Sequence, residues 1–260
     1  MRISEELNII KNLLIKIGIK KNDKIMLTSS ILPLLIKYKK NKINFKPLDI
    51  INILIDLIGK NGTLLIPVFN WDFCKGKDFH YKKTQSLSGS LGNIVLKNKK
   101  FKRSKNPIYS FAVYGKDRDL ICNMPHSNCF SLSSPFGYMI NKKGKNLFMG
   151  IEYTGGYTPV HVAEQQAKVK YRFNKKFSGY CNYRNKKKVK KTITMFVRNL
   201  KLNIMTGIDD KFKNILKKNN AFKEDNYKGI IFNIIDSKIS HELMVKDLIN
   251  QEGMIYQKKL

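Results

Sequence analysis

Acidic residues are scarce in this chain. Asp and Glu number 19 against 50 Lys and Arg, a formal net charge of +31. Such an imbalance has two readings, a polyanionic partner or codon drift in an AT-rich genome. The positive charge is spread along the whole chain, and Lys far outnumbers Arg. Both features favour drift. Cysteine is also sparse: Cys74, Cys122, Cys129 and Cys181 form no CxxC pair. A chain of 260 residues has no need of disulfide staples, so reduced thiols are expected. Cys122, His126 and Cys129 lack a nearby fourth ligand, so no metal is expected. No apolar run approaches the roughly 18 residues that span a bilayer, and Glu5, Glu6, Lys11 and Lys16 interrupt the first apolar segment. A cytoplasmic protein without a membrane span is the resulting expectation. Repeats and Pro- or Ser-rich linkers are absent, so residues 1–260 read as one domain.

What is present is a hydrophobic fraction of 42%, which excludes a disordered chain. Leu7, Ile10, Leu13, Leu14 and Ile17 share one face of a helix capped by Ser4 and ended by Gly18. Lys24 to Leu27 reads as a short buried strand running into Thr28-Ser29-Ser30. Pro47 to Ile58 reads as a second helix, with Pro47 in its first turn and Gly59 as its stop. Thr63 to Val68 is an apolar strand broken by Pro67, and the Ser- and Gly-rich stretch Thr84 to Gly92 leads into a helix from Asn93. Tyr109 to Tyr114 and Asn146 to Gly150 are further strands, and Asp209 to Lys218 is helical. The almost wholly basic run Arg184 to Lys191 reads as a solvated hairpin tip. Strands and helices alternate through the first half, so the class is α/β.

The segment Gly155-Gly156-Tyr157-Thr158-Pro159-Val160-His161-Val162-Ala163-Glu164 carries the chemistry. Thr158 suits an N-cap and Pro159 a first helical position, which puts His161 in the first turn. The helix dipole there disfavours an imidazolium and biases the ring toward its proton-accepting form. Glu164, three residues on, shares the face of His161 and can hold one imidazole nitrogen. Base and orienting carboxylate together make a general-base arrangement. Of the other histidines, His80 falls among charged loop residues and His241 on a surface helix; only His126 competes as a site residue. Thr28-Ser29-Ser30 leaves the end of a buried strand, where α/β sheets meet ligands. Its backbone N–H groups are candidate oxyanion donors. Ser88-Gly89-Ser90-Leu91-Gly92 has the make-up of an anion nest but lacks the Gly-Lys-Ser/Thr of a Walker loop.

Taken in order, these segments resemble the aminoglycoside 3-N-acetyltransferase family, antibiotic N-acetyltransferases distinct in fold from the common GNAT enzymes. The resemblance runs from Gly18-Ile19-Lys20-Lys21-Asn22-Asp23 and Thr28-Ser29-Ser30 through Gly62 to Trp71. It continues through Arg103-Ser104, Asn106-Pro107, Ser110, Ser134-Pro135-Phe136-Gly137 and Gly150. It ends with Thr158, His161-Val162-Ala163-Glu164, Tyr171-Arg172 and Phe196-Val197-Arg198. The resemblance implies two interlocked mixed α/β subdomains around a central cleft, acetyl-CoA as donor and direct transfer to an amine. It implies His161 as base, Glu164 as its partner, and Ser29, Ser30, Ile31 and the region of Ser110 as contacts to coenzyme A. Arg103 is implied as a partner for the coenzyme phosphates. A homodimer is compatible with it. Three positions depart from the family pattern: Thr28, Asn106 and Tyr109 stand where histidines are usual.

Charge bears on the acceptor. Aminoglycosides are polycations, and a net charge of +31 repels them at long range. The favoured acceptor is therefore an amino sugar linked to a nucleoside diphosphate for surface glycan synthesis. The alternative is an aminoglycoside, as in antibiotic resistance. A basic nucleic-acid-binding protein is the reading from another class, but the aromatics lie in apolar segments and no such motif is present, so no nucleic acid is expected. A catalytically dead scaffold would not need His161 and Glu164.

Overall fold

The computed structural model describes residues 3–183, 188–250 and 255–259. The chain opens with α1 (Ile3–Lys16) and β1 (Lys24–Ser29). A double helical crossover, α2 (Leu32–Lys40) and α3 (Pro47–Ile58), leads to β2 (Thr63–Phe69). Next come β3 (Phe79–His80), α4 (Ser90–Val95), β4 (Lys102–Arg103) and β5 (Tyr109–Gly115). Helices α5 (Arg118–Asn123) and α6 (Pro135–Asn141) precede β6 (Lys145–Met149), and α7 (Val160–Gln166) follows it. Two long strands, β7 (Arg172–Asn182) and β8 (Lys188–Arg198), pair with each other. The chain continues through β9 (Ile204–Ile208), α8 (Asp210–Lys218), β10 (Phe222–Tyr227), β11 (Ile230–Asp236), α9 (Ser237–Asn250) and β12 (Ile255–Lys259).

Seven strands form the main sheet in the order β10-β11-β6-β1-β2-β5-β4. Its centre is parallel, with β1 between β2 and β6, and its flanks are antiparallel. Strand alternation sorts side chains between two cores. Ile25, Leu27, Leu64, Ile66 and Val68 point to the layer of α1, α3 and α4. Met26, Leu65, Phe69, Phe111 and Val113 point to the opposite layer, which contains α6 and the β3-β7-β8 sheet. Residues of β2 are buried throughout, which is why this strand reads as an unbroken apolar run. A third core, with Phe148, Tyr157, Phe212 and Met244, joins α7, α8 and α9.

Local chemistry fixes the ends. Helix α3 starts at Pro47, and the Asp49 carboxylate accepts the Lys46 N–H at 2.7 Å. Helix α8 is capped by Asp209, whose carboxylate accepts the Phe212 N–H at 3.2 Å.

Several expectations are corrected. Ser4 lies inside α1 and is not its cap, because the helix already includes Ile3. Pro67 does not break its strand: pairing with β1 stops at Leu65, and β5 continues to flank the strand to Phe69. The helix expected from Asn93 begins at Ser90. His241 is buried, with Nε2 at 2.9 Å from Gln166 Oε1. Of the basic run, 188–191 lie in β8, while 184–187 fall outside the described residues.

Candidate active site

Because β1 and β6 are parallel, their C-terminal ends emerge together. Thr28-Ser29-Ser30 closes β1, and Gly150 closes β6. The Ser30 N–H donates to Met149 O at 2.9 Å. Gly150 has φ +66°, and a Cβ there would lie 2.5 Å from Ser30 O, so only glycine lets the two segments pass. Downstream, Gly156 packs against Thr28, where a Cβ would stand 3.2 Å from Thr28 Cγ2. These contacts bring the turn before His161 to the same sheet edge as the Ser pair.

Helix α7 begins one residue later than expected. Pro159 takes the cap position in helical geometry, with no side-chain cap bond. The Thr158 carbonyl accepts the His161 N–H at 3.1 Å, and the Pro159 carbonyl accepts the Val162 N–H at 3.0 Å. His161 thus sits in the first turn, as expected.

The pair itself is closed. His161 Nδ1 lies 2.6 Å from Glu164 Oε2, and the Glu164 side chain is 0% exposed against 25% for His161. Arg172 Nε stands 2.7 Å from the same carboxylate oxygen, and the Tyr171 hydroxyl donates to Oε1 at 3.2 Å. Burial alone would push the Glu164 carboxyl up. The bonds and charges of His161 and Arg172 outweigh it and hold the group below the ordinary carboxylate range. In the tautomer that carries a hydrogen on Nδ1, that hydrogen goes to the Glu164 carboxylate and Nε2 is left bare. Tyr171 and Arg172 were legible only as part of the family pattern; their action on Glu164 appears only in three dimensions.

One side of the imidazole is aromatic. The Phe130 ring meets it edge-on at 5.0 Å, Tyr109 follows at 4.9 Å from Phe130, and Trp71 Nε1 donates to the Tyr109 hydroxyl at 3.4 Å. Burial pushes the Tyr109 phenol up to about 12. Asn106 also points inward, its Oδ1 accepting the N–H groups of Ile108 and Tyr109 at 2.8 Å each. On another side, a cavity of about 270 Å3 borders His161, Arg172, Arg198 and the Gly155–Thr158 turn.

Two expected contacts to coenzyme A lie inside the protein. Arg103 is 2% exposed. Its guanidinium donates to Ser110 Oγ at 2.9 Å, to Tyr81 O at 3.3 Å, to Val68 O at 3.4 Å and to Thr84 O, and it covers the Phe79 ring. Ser110 is 0% exposed, and its hydroxyl donates to Val68 O at 2.8 Å. Both side chains are engaged inside the protein, Arg103 with β2, β5 and the segment after β3, and Ser110 with β2. Ser29 and Ser30 are half-buried, with no hydrogen bond engaging either hydroxyl among the described residues. Ile31 is a core side chain that caps α2, leaving its backbone as the part able to face a ligand.

A family model described as aminoglycoside 3-N-acetyltransferase matches residues 39–229. None of the curated protein sequences matches. The fold is similar to that of aminoglycoside acetyltransferase AAC(3)-Xa, with TM-score 0.78 and 16% identity over 94% of this chain and 92% of that one. AAC-VIa bound to sisomicin aligns with TM-score 0.76 and 17% identity over 94% and 97%. AAC-IIIb in its binary complex with CoASH aligns with TM-score 0.75 and 16% identity over 94% and 96%. With the family model covering most of its length, the chain belongs to the aminoglycoside 3-N-acetyltransferase family.

Proposed function

We propose that the protein transfers an acetyl group from acetyl-CoA to a primary amine of an aminoglycoside, with His161 as general base. The observation that carries this reading is the 2.6 Å contact between His161 Nδ1 and the buried, ionised Glu164. An amine attacks a thioester carbonyl only through its free lone pair. Nε2 of His161 takes the proton that the amine sheds as the new C–N bond forms, and Glu164 stabilises the resulting imidazolium. The acetyl carbonyl is attacked, the C–S bond breaks to release the coenzyme A thiolate, and the proton held on Nε2 passes to the sulfur to give the free thiol.

The end of β1 suits the donor. The Ser30 N–H is committed to Met149 O, so it is not available to a developing oxyanion. The Ser29 and Ser30 hydroxyls and the N–H groups opening α2 at Ile31 and Leu32 remain as donors. A strand end feeding a helix N-terminus fits a phosphate or amide of the coenzyme.

The acceptor reading replaces the anionic sugar that the net charge favours. Relatives of the same fold are solved with sisomicin and with a gentamicin bound. The charged side chains that line the cavity are Arg172 and Arg198, and three carboxylates stand next to its lining in sequence. Asp209 and Asp210 follow Ile208 of the cavity wall, and Glu152 precedes its turn; after burial, these three carboxylates lead the causes that push the Tyr153 phenol up. Relatives that bind sisomicin and gentamicin, and not the charge of this lining, support an aminoglycoside acceptor. The test is thiol release from acetyl-CoA with gentamicin, set against a nucleotide-linked amino sugar. Release with gentamicin supports the reading. Release with the nucleotide-linked sugar alone overturns the acceptor, and release with neither overturns the chemistry.

A further inference from the structure

The molecule has a second and larger cavity, of about 840 Å3, beside the β7–β8 pair. It shares no lining residue with the cavity at His161. Its size falls in the range of small-molecule sites. The walls come from β4, the segment after α5, and the ends of β7 and β8.

Hydrogen bonds between these elements hold the walls in place. The Tyr183 hydroxyl donates to Lys105 O at 3.0 Å, and the Tyr81 hydroxyl donates to Arg103 O. The Thr194 N–H donates to Ser127 O at 2.7 Å, and the Cys129 N–H to Thr194 O at 3.0 Å. The two tyrosines stand 6.3 Å apart and give the cavity an aromatic side. Met124, Pro125, Val189 and Ile193 add apolar surface.

The polar side is cationic. Lys102, Lys105 and Lys191 line the cavity, and none of its lining residues is a carboxylate. Lys102 is paired with Asp119 at 2.6 Å. Among the described residues the Lys105 ammonium donates only to the neutral Asn123 Oδ1, at 3.1 Å. Neither Lys105 nor Lys191 has a carboxylate partner among the described residues. Burial depresses the His126 imidazole in the same wall, so at neutral pH the charge comes from the lysines.

We infer that this cavity is a second binding site, taking a nucleoside phosphate whose base lies on the Tyr81–Tyr183 side and whose phosphates meet Lys105 and Lys191. Aromatic faces accept any base by stacking. Two ammonium groups with no carboxylate partner among the described residues, at the border of one cavity, select anions through charge-assisted hydrogen bonds. The same chemistry has two sources: a free nucleotide, or the nucleotide part of a larger molecule such as coenzyme A. The site does not depend on the acyl-transfer reading.

Calorimetric titration of the full chain with ADP tests it. Saturable one-to-one binding is expected, weakened about tenfold or more in Lys105→Gln/Lys191→Gln, as expected when two charge-assisted contacts are lost. Tyr183→Ala weakens it further, Tyr183→Phe much less, and His161→Ala leaves it unchanged. Melting temperatures near the parent's show that the variants remain folded. If KM for acetyl-CoA rises in the double lysine variant, the nucleotide part of coenzyme A is the source; if KM is unmoved, a free nucleotide is. Affinity for ADP that survives the double substitution overturns the site. So does the absence of saturable binding, and pyrophosphate binding as tightly as ADP overturns the nucleoside assignment.

Discussion

Replacing Glu164 by Gln tests the catalytic pair at the point where geometry and charge separate. In the wild type, one carboxylate oxygen faces both His161 Nδ1, at 2.6 Å, and Arg172 Nε, at 2.7 Å. The other oxygen accepts from the Tyr171 hydroxyl at 3.2 Å. Glutamine keeps one oxygen, and the His161 Nδ1 hydrogen selects it for that side. Its NH2 then faces Tyr171, whose hydroxyl rotates to accept. The imidazole tautomer is therefore kept and only the negative charge is lost. A hydrogen bond to a charged group contributes about 1.5–3 kcal/mol against about 1 for a neutral one. Losing the difference, about 0.5–2 kcal/mol, when the imidazolium forms slows turnover by roughly 2- to 30-fold. Glu164→Ala removes the oxygen as well and leaves the Arg172 guanidinium without its partner, a loss of about 3–5 kcal/mol in stability. Thiol release with saturating acetyl-CoA reads the first effect and urea unfolding the second. Wild-type turnover in Glu164→Gln would refute the role given to the charge.

Glu164 also ties stability to pH. Its folded pKa is held below the ordinary value of 4.5, so its contribution is complete above that pH and is lost as pH falls through the folded value; urea midpoints of Glu164→Gln should depend less on pH in that acid range than those of wild type. Ser30→Ala should raise KM for acetyl-CoA roughly three- to tenfold with a smaller effect on kcat, the pattern of lost ground-state binding in steady-state kinetics. Arg103→Lys should cost about 3 kcal/mol in urea unfolding, because buried carbonyls of Tyr81, Thr84 and Val68 lose a donor, while KM for acetyl-CoA stays at the wild-type value. Gly137→Ala would put a Cβ 2.0 Å from the Leu132 carbonyl oxygen, and a drop of about 3 kcal/mol is expected on thermal or urea denaturation.

The sequence carried the α/β class, most element positions and the His161–Glu164 pair, each through a local signal. Pro47 and Gly59 bracket α3 because both act on their own backbone. The three-residue spacing on α7 brings His161 and Glu164 together with no help from the rest of the chain. What stayed hidden depends on pairing across long separations. Arg103 reads as an available cation until β4 carries it under β5, where Val68, Tyr81 and Thr84 absorb its donors. Pro67 reads as a breaker because sequence does not show that β1 has already ended its pairing at Leu65. His241 reads as exposed because its partner, Gln166, is on another helix.

The most direct measurement is the single-turnover rate of thiol release from acetyl-CoA with gentamicin, compared between wild type and His161→Ala. Loss of general-base catalysis predicts a fall of about 100-fold or more with donor binding retained. Equal rates for the two proteins would contradict the account, since the amine would then be losing its proton without Nε2 of His161.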